Sequence, residues 1–149
     1  MTAAESDVLE IREATRADIA QLMEAHRVAF VGSMGASLGE HYRRAFVTTF
    51  VIEPDQIALL AVRNEKVVGY VLGRAVGAPT RGRATLIAII IGLLSRPWLL
   101  LRRNVRHSLS AQIFHQREMA KYHAALPADG GDLVGIGCVP AERGRGTAK

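Results

Sequence analysis

The sequence predicts an α+β domain, a largely antiparallel sheet flanked by helices. Three observations carry that expectation. Two β-rich runs, residues 57–63 and 67–76, are separated only by Asn64-Glu65-Lys66, a loop of hairpin length. Ahead of them, apolar residues recur at helical spacing in two consecutive stretches. A third β-rich run, 133–139, closes the periodic part of the chain. Hairpin-joined strands with helices grouped before and after them point to a mixed antiparallel sheet rather than to alternating parallel units.

Each element has a local cause. Leu9 and Ile11 alternate with Glu10 and Arg12, the period-two pattern of a short strand. Thr15 stands three residues before Asp18, which places a capping hydroxyl and a first-turn acid at a helix start. Ile19, Leu22, Met23, His26 and Phe30 then share one helical stripe, ended by Gly32 and Gly35. A second helix places Leu38, Tyr42, Ala45, Phe46 and Thr49 on one face and breaks at Pro54-Asp55. The hairpin runs are apolar at nearly every position, so both of their faces are expected to be covered. A Pro/Gly/Arg loop, 77–82, leads into a helical stretch from Thr85 to about Ser95, broken at Pro97 and resumed to about Ala125. Residues 77–125 therefore form a long helical insert between the third and fourth strands, and connectors of that length are often functional. Residues 127–132 are a turn cluster before the last strand.

Composition narrows the class. A chain of 149 residues makes one domain with room for a sizeable core. Its 49% hydrophobic and 22% charged content is ordinary for a globular protein. The net charge of +5 favours anionic ligands or surfaces. Cys138 is the single cysteine, which excludes an internal disulfide and a cysteine-based metal cluster and fits a reducing, cytoplasmic setting. Residues 1–7 hold two acids and no apolar core of a signal peptide. The apolar run 86–101 is interrupted by Arg96 and Pro97 and is shorter than the roughly 20 residues that cross a bilayer. It is expected to be a buried helix joined to a solvated basic one. The alternative is a membrane-surface segment, because Arg102, Arg103, Arg106 and His107 follow directly.

The densest chemistry lies in Val139-Pro140-Ala141-Glu142-Arg143-Gly144-Arg145-Gly146-Thr147-Ala148-Lys149. Pro140 ends the strand by removing a donor and fixing φ. Gly144 and Gly146 permit close backbone approach, and Arg143 and Arg145 add positive charge. Successive N–H groups in such a loop can converge on an anion, and a helix starting just after it would add its own. That is the outline of a phosphate cradle.

Arg143-Gly144-Arg145-Gly146-Thr147-Ala148 resembles the Arg/Gln-x-x-Gly-x-Gly/Ala motif of the GNAT superfamily, the Gcn5-related N-acetyltransferases. Residues 139–142 look like the Asp-Pro-x-x that leads into it, residues 11–18 like the family's first strand and helix cap, and the hairpin ending in Val67-Val68-Gly69-Tyr70-Val71 like its second and third strands. The resemblance implies acetyl-CoA as donor, with backbone groups near Ile136, Gly137 and Cys138 on the pantetheine arm. It also implies amides of Arg143, Gly144, Arg145, Gly146, Thr147 and Ala148 on the pyrophosphate. The acceptor would be an amine attacking the thioester directly, aided by positioning, a base and oxyanion stabilisation. Cys138, Val139 and Thr147 depart from the family's usual residues. The family's fold continues with a helix, more strands and another helix, so the chain reads as the N-terminal part of such a domain, expected to bind acetyl-CoA poorly or not at all and to be impaired in activity, the alternative being an inactive fragment. A tyrosine that often protonates the leaving thiolate has no matching position here. No catalytic residue and no metal ligand is assigned.

Remaining candidates have plainer readings. His26 lies on an apolar stripe and reads as a core or rim histidine rather than a base. His107, His115 and His123 recur every eight residues, too widely for a local metal pair, and read as a solvated face. Cys138 reads as a small apolar strand residue, and Asp132 as a turn acid. Tyr42, Phe46 and Trp98 are expected to pack. An RNA-binding tail is disfavoured: aromatic content is 5%, and the two Arg-Gly pairs have no interleaved stacking residues.

Overall fold

The computed structural model describes residues 8–76, 78, 83–101, 103, 105–107, 110, 127 and 130–144. Strand β1 (Glu10–Glu13) is followed by a 3-10 turn (Arg16–Asp18) and three helices, α1 (Ile19–Ala29), α2 (Met34–Ser37) and α3 (Glu40–Ile52). Next come strands β2 (Gln56–Arg63) and β3 (Lys66–Ala75), helix α4 (Arg83–Ser95), a 3-10 turn (Pro97–Leu101) and strand β4 (Gly131–Cys138). The strands form one sheet in the order β1-β2-β3-β4, with every neighbouring pair antiparallel. The class is α+β, a four-stranded antiparallel sheet with flanking helices.

Local chemistry sets the entry to α1. The Asp18 carboxylate accepts the Thr15 backbone N–H at 2.8 Å and its hydroxyl at 2.7 Å. The Arg12 guanidinium grips both oxygens of the same carboxylate, at 2.8 and 2.7 Å. One buried acid thus ties the end of β1 to the first turn. Arg12, the largest cause, holds the Asp18 carboxyl well below the usual carboxylate range, with the Thr15 bonds adding to it.

The hairpin turn has two residues, not three. Asn64 and Glu65 both take positive φ, 49° and 60°, as in a type I′ turn whose twist matches the strands it joins. Lys66, expected in the loop, instead pairs with Arg63. Beyond the turn, the register jumps between Ala61↔Gly69 and Val62↔Val67, which makes Val68 a bulged residue on β3.

Ala58, Leu60 and Val62 on β2 and Val67, Tyr70 and Leu72 on β3 meet Leu22, Met23 and Ala25 of α1 and Val47 and Phe50 of α3. Leu22, Val47 and Leu60 are fully shielded. The opposite face of the sheet corrects the expectation of two covered faces. Ile11, Ile57 and Ile136 remain exposed there, and Ile11 and Ile136 border a shallow apolar groove floored by Leu59, Ala61, Gly69 and Val71. Ala61 and Gly69 are buried there, and Leu59 and Val71 only half-buried.

A second cluster joins α4 to the other side of α3: Leu38, Tyr42, Ala88, Ile89, Leu99 and Val105. A methyl group at Gly92 would sit 3.1 Å from the Leu38 carbonyl oxygen, so the glycine sets how closely α4 approaches. Thr49 and Thr85 share a buried hydroxyl contact at 3.1 Å. The expectation of a buried helix at 86–101 needs correction, because only one side of α4 is covered. Leu86, Ile87, Ile90, Ile91 and Leu94 are exposed. Among the described residues, no helix is long and apolar enough to cross a membrane. Residues 111–126 of the expected insert, with His115 and His123, lie outside the described residues.

Candidate functional site

The sequence placed the site on the last strand and the loop after it, and the fold puts that strand at a sheet edge. Among the described residues β4 pairs only with β3, through Val71↔Ile136, Tyr70↔Gly137 and Gly69↔Cys138. The Val139 N–H donates to the Val68 carbonyl at 2.9 Å, the bulged residue of β3. Antiparallel ladders alternate the direction of their amides. With Val139 bonded inward, Gly137 also faces β3, and the N–H and C=O groups of Ile136 and Cys138 face the open edge. A register jump between Leu72↔Gly135 and Gly73↔Leu133 makes Val134 the extra residue on β4. Such a bulge bends a strand and re-aims the residues beyond it.

Gly135 and Gly137 sit opposite Leu72 and Tyr70. A methyl group at Gly137 would lie 2.5 Å from the Tyr70 ring, so this glycine is required by packing. Tyr70 is the functional-looking residue that the motif reading did not single out. Its hydroxyl lies 2.7 Å from Nδ1 of His26, inside an aromatic group with Phe30 and Phe46. The only sequence signal for it was the glycine alternation in 131–137, which asks for large side chains on the neighbouring strand. Burial pushes the Tyr70 hydroxyl above its ordinary value. Burial, then the nearby Arg43 charge, pushes the His26 imidazole down. Both groups are therefore neutral at pH 7. Tyr70 is buried, and the pair packs under β4 as a rim histidine would.

The loop start is anchored before it turns. A 3-10 turn, Pro140–Glu142, comes after Val139, with the Glu142 N–H on the Val139 carbonyl at 3.0 Å and the Arg143 N–H on the Pro140 carbonyl at 3.3 Å. The Glu142 carboxylate forms a shielded ion pair with Arg63 at the end of β2. Gly144 takes φ +83°, a conformation that L side chains avoid, although a methyl group there would touch nothing within 4 Å. The glycine is thus needed for backbone conformation. Arg143 beside it is exposed. Arg145, Gly146, Thr147 and Ala148 lie outside the described residues.

Other named candidates find plain places. Cys138 is a half-buried free thiol whose Sγ lies 3.5 Å from the Val139 carbonyl oxygen. Asp132 is part of β4, where the turn cluster was expected, and pairs with the buried Arg74 guanidinium across the ladder at 2.8 Å. Tyr42 and Phe46 stack at 5.9 Å between the two clusters, whereas Trp98 is exposed rather than packed. His107 is exposed. No group of three or more His, Cys, Asp or Glu placed to hold a metal occurs among the described residues. The chain matches no protein-family model and no curated protein.

Proposed function

We infer that the chain is a GNAT-like acyltransferase domain whose donor is acetyl-CoA or a related acyl-CoA and whose acceptor is an amine. The observation that carries the reading is the open edge of β4. Its outward groups at Ile136 and Cys138 run directly into an anchored turn that ends at Gly144 in a left-handed conformation. Paired donors and acceptors along an extended edge suit an amide-bearing pantetheine arm. The Arg143 guanidinium and the left-handed Gly144 suit a pyrophosphate, as does the Arg-Gly sequence that follows.

The thioester supplies an activated acyl group. An amine that has lost its ammonium proton attacks the carbonyl carbon, the C–S bond breaks, and the thiolate takes up a proton. The chain's contribution is to hold the donor extended along β4, so that the thioester is presented in one orientation. Arg63 and Glu142 act as positioning residues for the turn. No side chain is assigned as base or acid.

Equilibrium titration with acetyl-CoA, carried to millimolar concentration, tests the reading. Saturable binding is expected, competed by ADP and weakened roughly tenfold by Arg143→Glu, the loss of one charge-assisted phosphate contact. Absence of saturable binding, or binding indifferent to Arg143→Glu and to ADP, overturns it.

A further inference from the structure

Helix α4 is apolar on two opposite sides. Thr85, Ala88, Ile89 and Gly92 turn inward, most of them toward α3 and Leu38. Leu86, Ile87, Ile90, Ile91 and Leu94 turn outward, between 47% and 76% exposed. At about 100° per residue these five span an arc of roughly 140°. Between Leu86 and Leu94 no polar residue falls within it. The 3-10 turn after the helix extends the patch through Trp98, 55% exposed, and Leu101, 80% exposed. Exposed apolar surface of this extent marks a binding face.

Charge identifies the occupant. Arg103 and Arg106 are exposed in the segment that follows Trp98 and Leu101, and the exposed Arg96, whose guanidinium donates to the Ser37 carbonyl at 3.1 Å, precedes Trp98. The chain has no Asp or Glu between Glu65 and Glu118, so no acid within that stretch offsets them. A wide aliphatic arc without hydrogen-bonding groups suits fluid acyl chains. A protein interface of this size would be expected to carry polar groups and direct hydrogen bonds. An indole and guanidinium groups at the patch edge suit the headgroup layer of an anionic leaflet. An interfacial helix ordinarily needs its own polar face. Here the body of the protein takes that place, because α3 covers the inner side of α4.

We propose that this face of α4, with the turn after it, docks the protein onto an anionic lipid bilayer surface, lying in the interface without crossing it. The proposal is independent of the acyl-CoA reading. Trp98 is the only tryptophan, so its fluorescence reports the contact directly. Vesicles of three parts phosphatidylcholine to one part phosphatidylserine should blue-shift the Trp98 emission and co-sediment the chain, and pure phosphatidylcholine should do so far less. Leu94→Asp with Leu101→Asp should lower partitioning roughly tenfold or more, at unchanged far-UV circular dichroism. Arg103→Glu with Arg106→Glu should lower it roughly tenfold, and added salt should weaken the wild type. No emission shift with anionic vesicles overturns the proposal, as does partitioning that ignores the two leucines. So does a concentration-dependent dimer, formed without lipid and broken by Leu94→Asp, which would assign the face to a second copy of the chain.

Discussion

Helices α3 and α4 are both 13 residues long and pack against each other, yet they are built on opposite plans. In α3 the buried Tyr42, Val47, Thr49 and Phe50 share the helix with exposed Glu40, His41 and Arg44, so its sequence states which side faces in. In α4 the run Leu-Ile-Ala-Ile-Ile-Ile-Gly-Leu-Leu has no such contrast, and packing alone decides which side is covered. The covered side holds the smaller residues: Thr85, Ala88 and Gly92 allow close approach to α3 and Leu38. Ile89 is buried with them, and the other large aliphatics, Leu86, Ile87, Ile90, Ile91 and Leu94, are left outside. Hydrophobicity marks a segment for burial in something, and only periodic contrast tells the segment where that something is.

That comparison can be broken or sharpened by substitution. Phe50→Ala should have the largest effect, a loss of about 3–5 kcal/mol in urea-induced unfolding, because it opens a cavity between α3 and the sheet. Gly92→Val comes next, at about 1–3 kcal/mol, since its side chain must displace Leu38. Hydrogen exchange should locate that loss in α4 and leave β2 and β3 protected. Protection lost everywhere would show that α4 belongs to the same cooperative unit as the sheet.

The third test lies at the start of α1. The Asp18 pKa is lowered in the folded chain, chiefly by Arg12, so the unfolded chain binds the proton first as pH falls. The stabilisation is complete above the ordinary carboxylate value near pH 4 and drains away below it. Asp18→Asn should therefore cost about 1–2 kcal/mol at pH 7 and flatten the acid limb of a stability profile. A profile of unchanged slope would remove Asp18 from the stabilising set. The smallest effect is expected at Leu94→Ser, less than about 0.5 kcal/mol, because that side chain is 76% exposed. A larger loss would mean that this face of α4 is covered in solution.

Much of the fold was legible because its causes are local. Thr15 and Asp18 announced the entry to α1, and the two hairpin runs were placed to within a residue at their ends, with Lys66 passing from turn to strand. The short α2 was missed, since Met34-Gly35-Ala36-Ser37 is too brief for a periodic pattern. The start of β4 was misread because Gly131 and Asp132 are turn formers by composition. They enter the ladder because Asp132 meets the buried Arg74 on β3, 58 residues away in sequence. Within the candidate site, the glycines and arginines of the loop stood out as a motif, whereas the ion pair between Arg63 and Glu142 joins residues 79 apart and leaves no local trace.

By itself the sequence determined the hairpin strands, the entry to α1 and the breaks after α1 and α3, because capping hydrogen bonds, turn dihedrals and the periodic burial of α1 and α3 act within a few residues. The tertiary structure decided three other matters. Tyr70 occupies the space that Gly137 vacates, Arg63 fixes the turn before Gly144, and α4 spends one apolar side on α3 while leaving the other open. Each depends on contacts between distant segments, and a uniformly apolar helix carries no phase from which its orientation can be read.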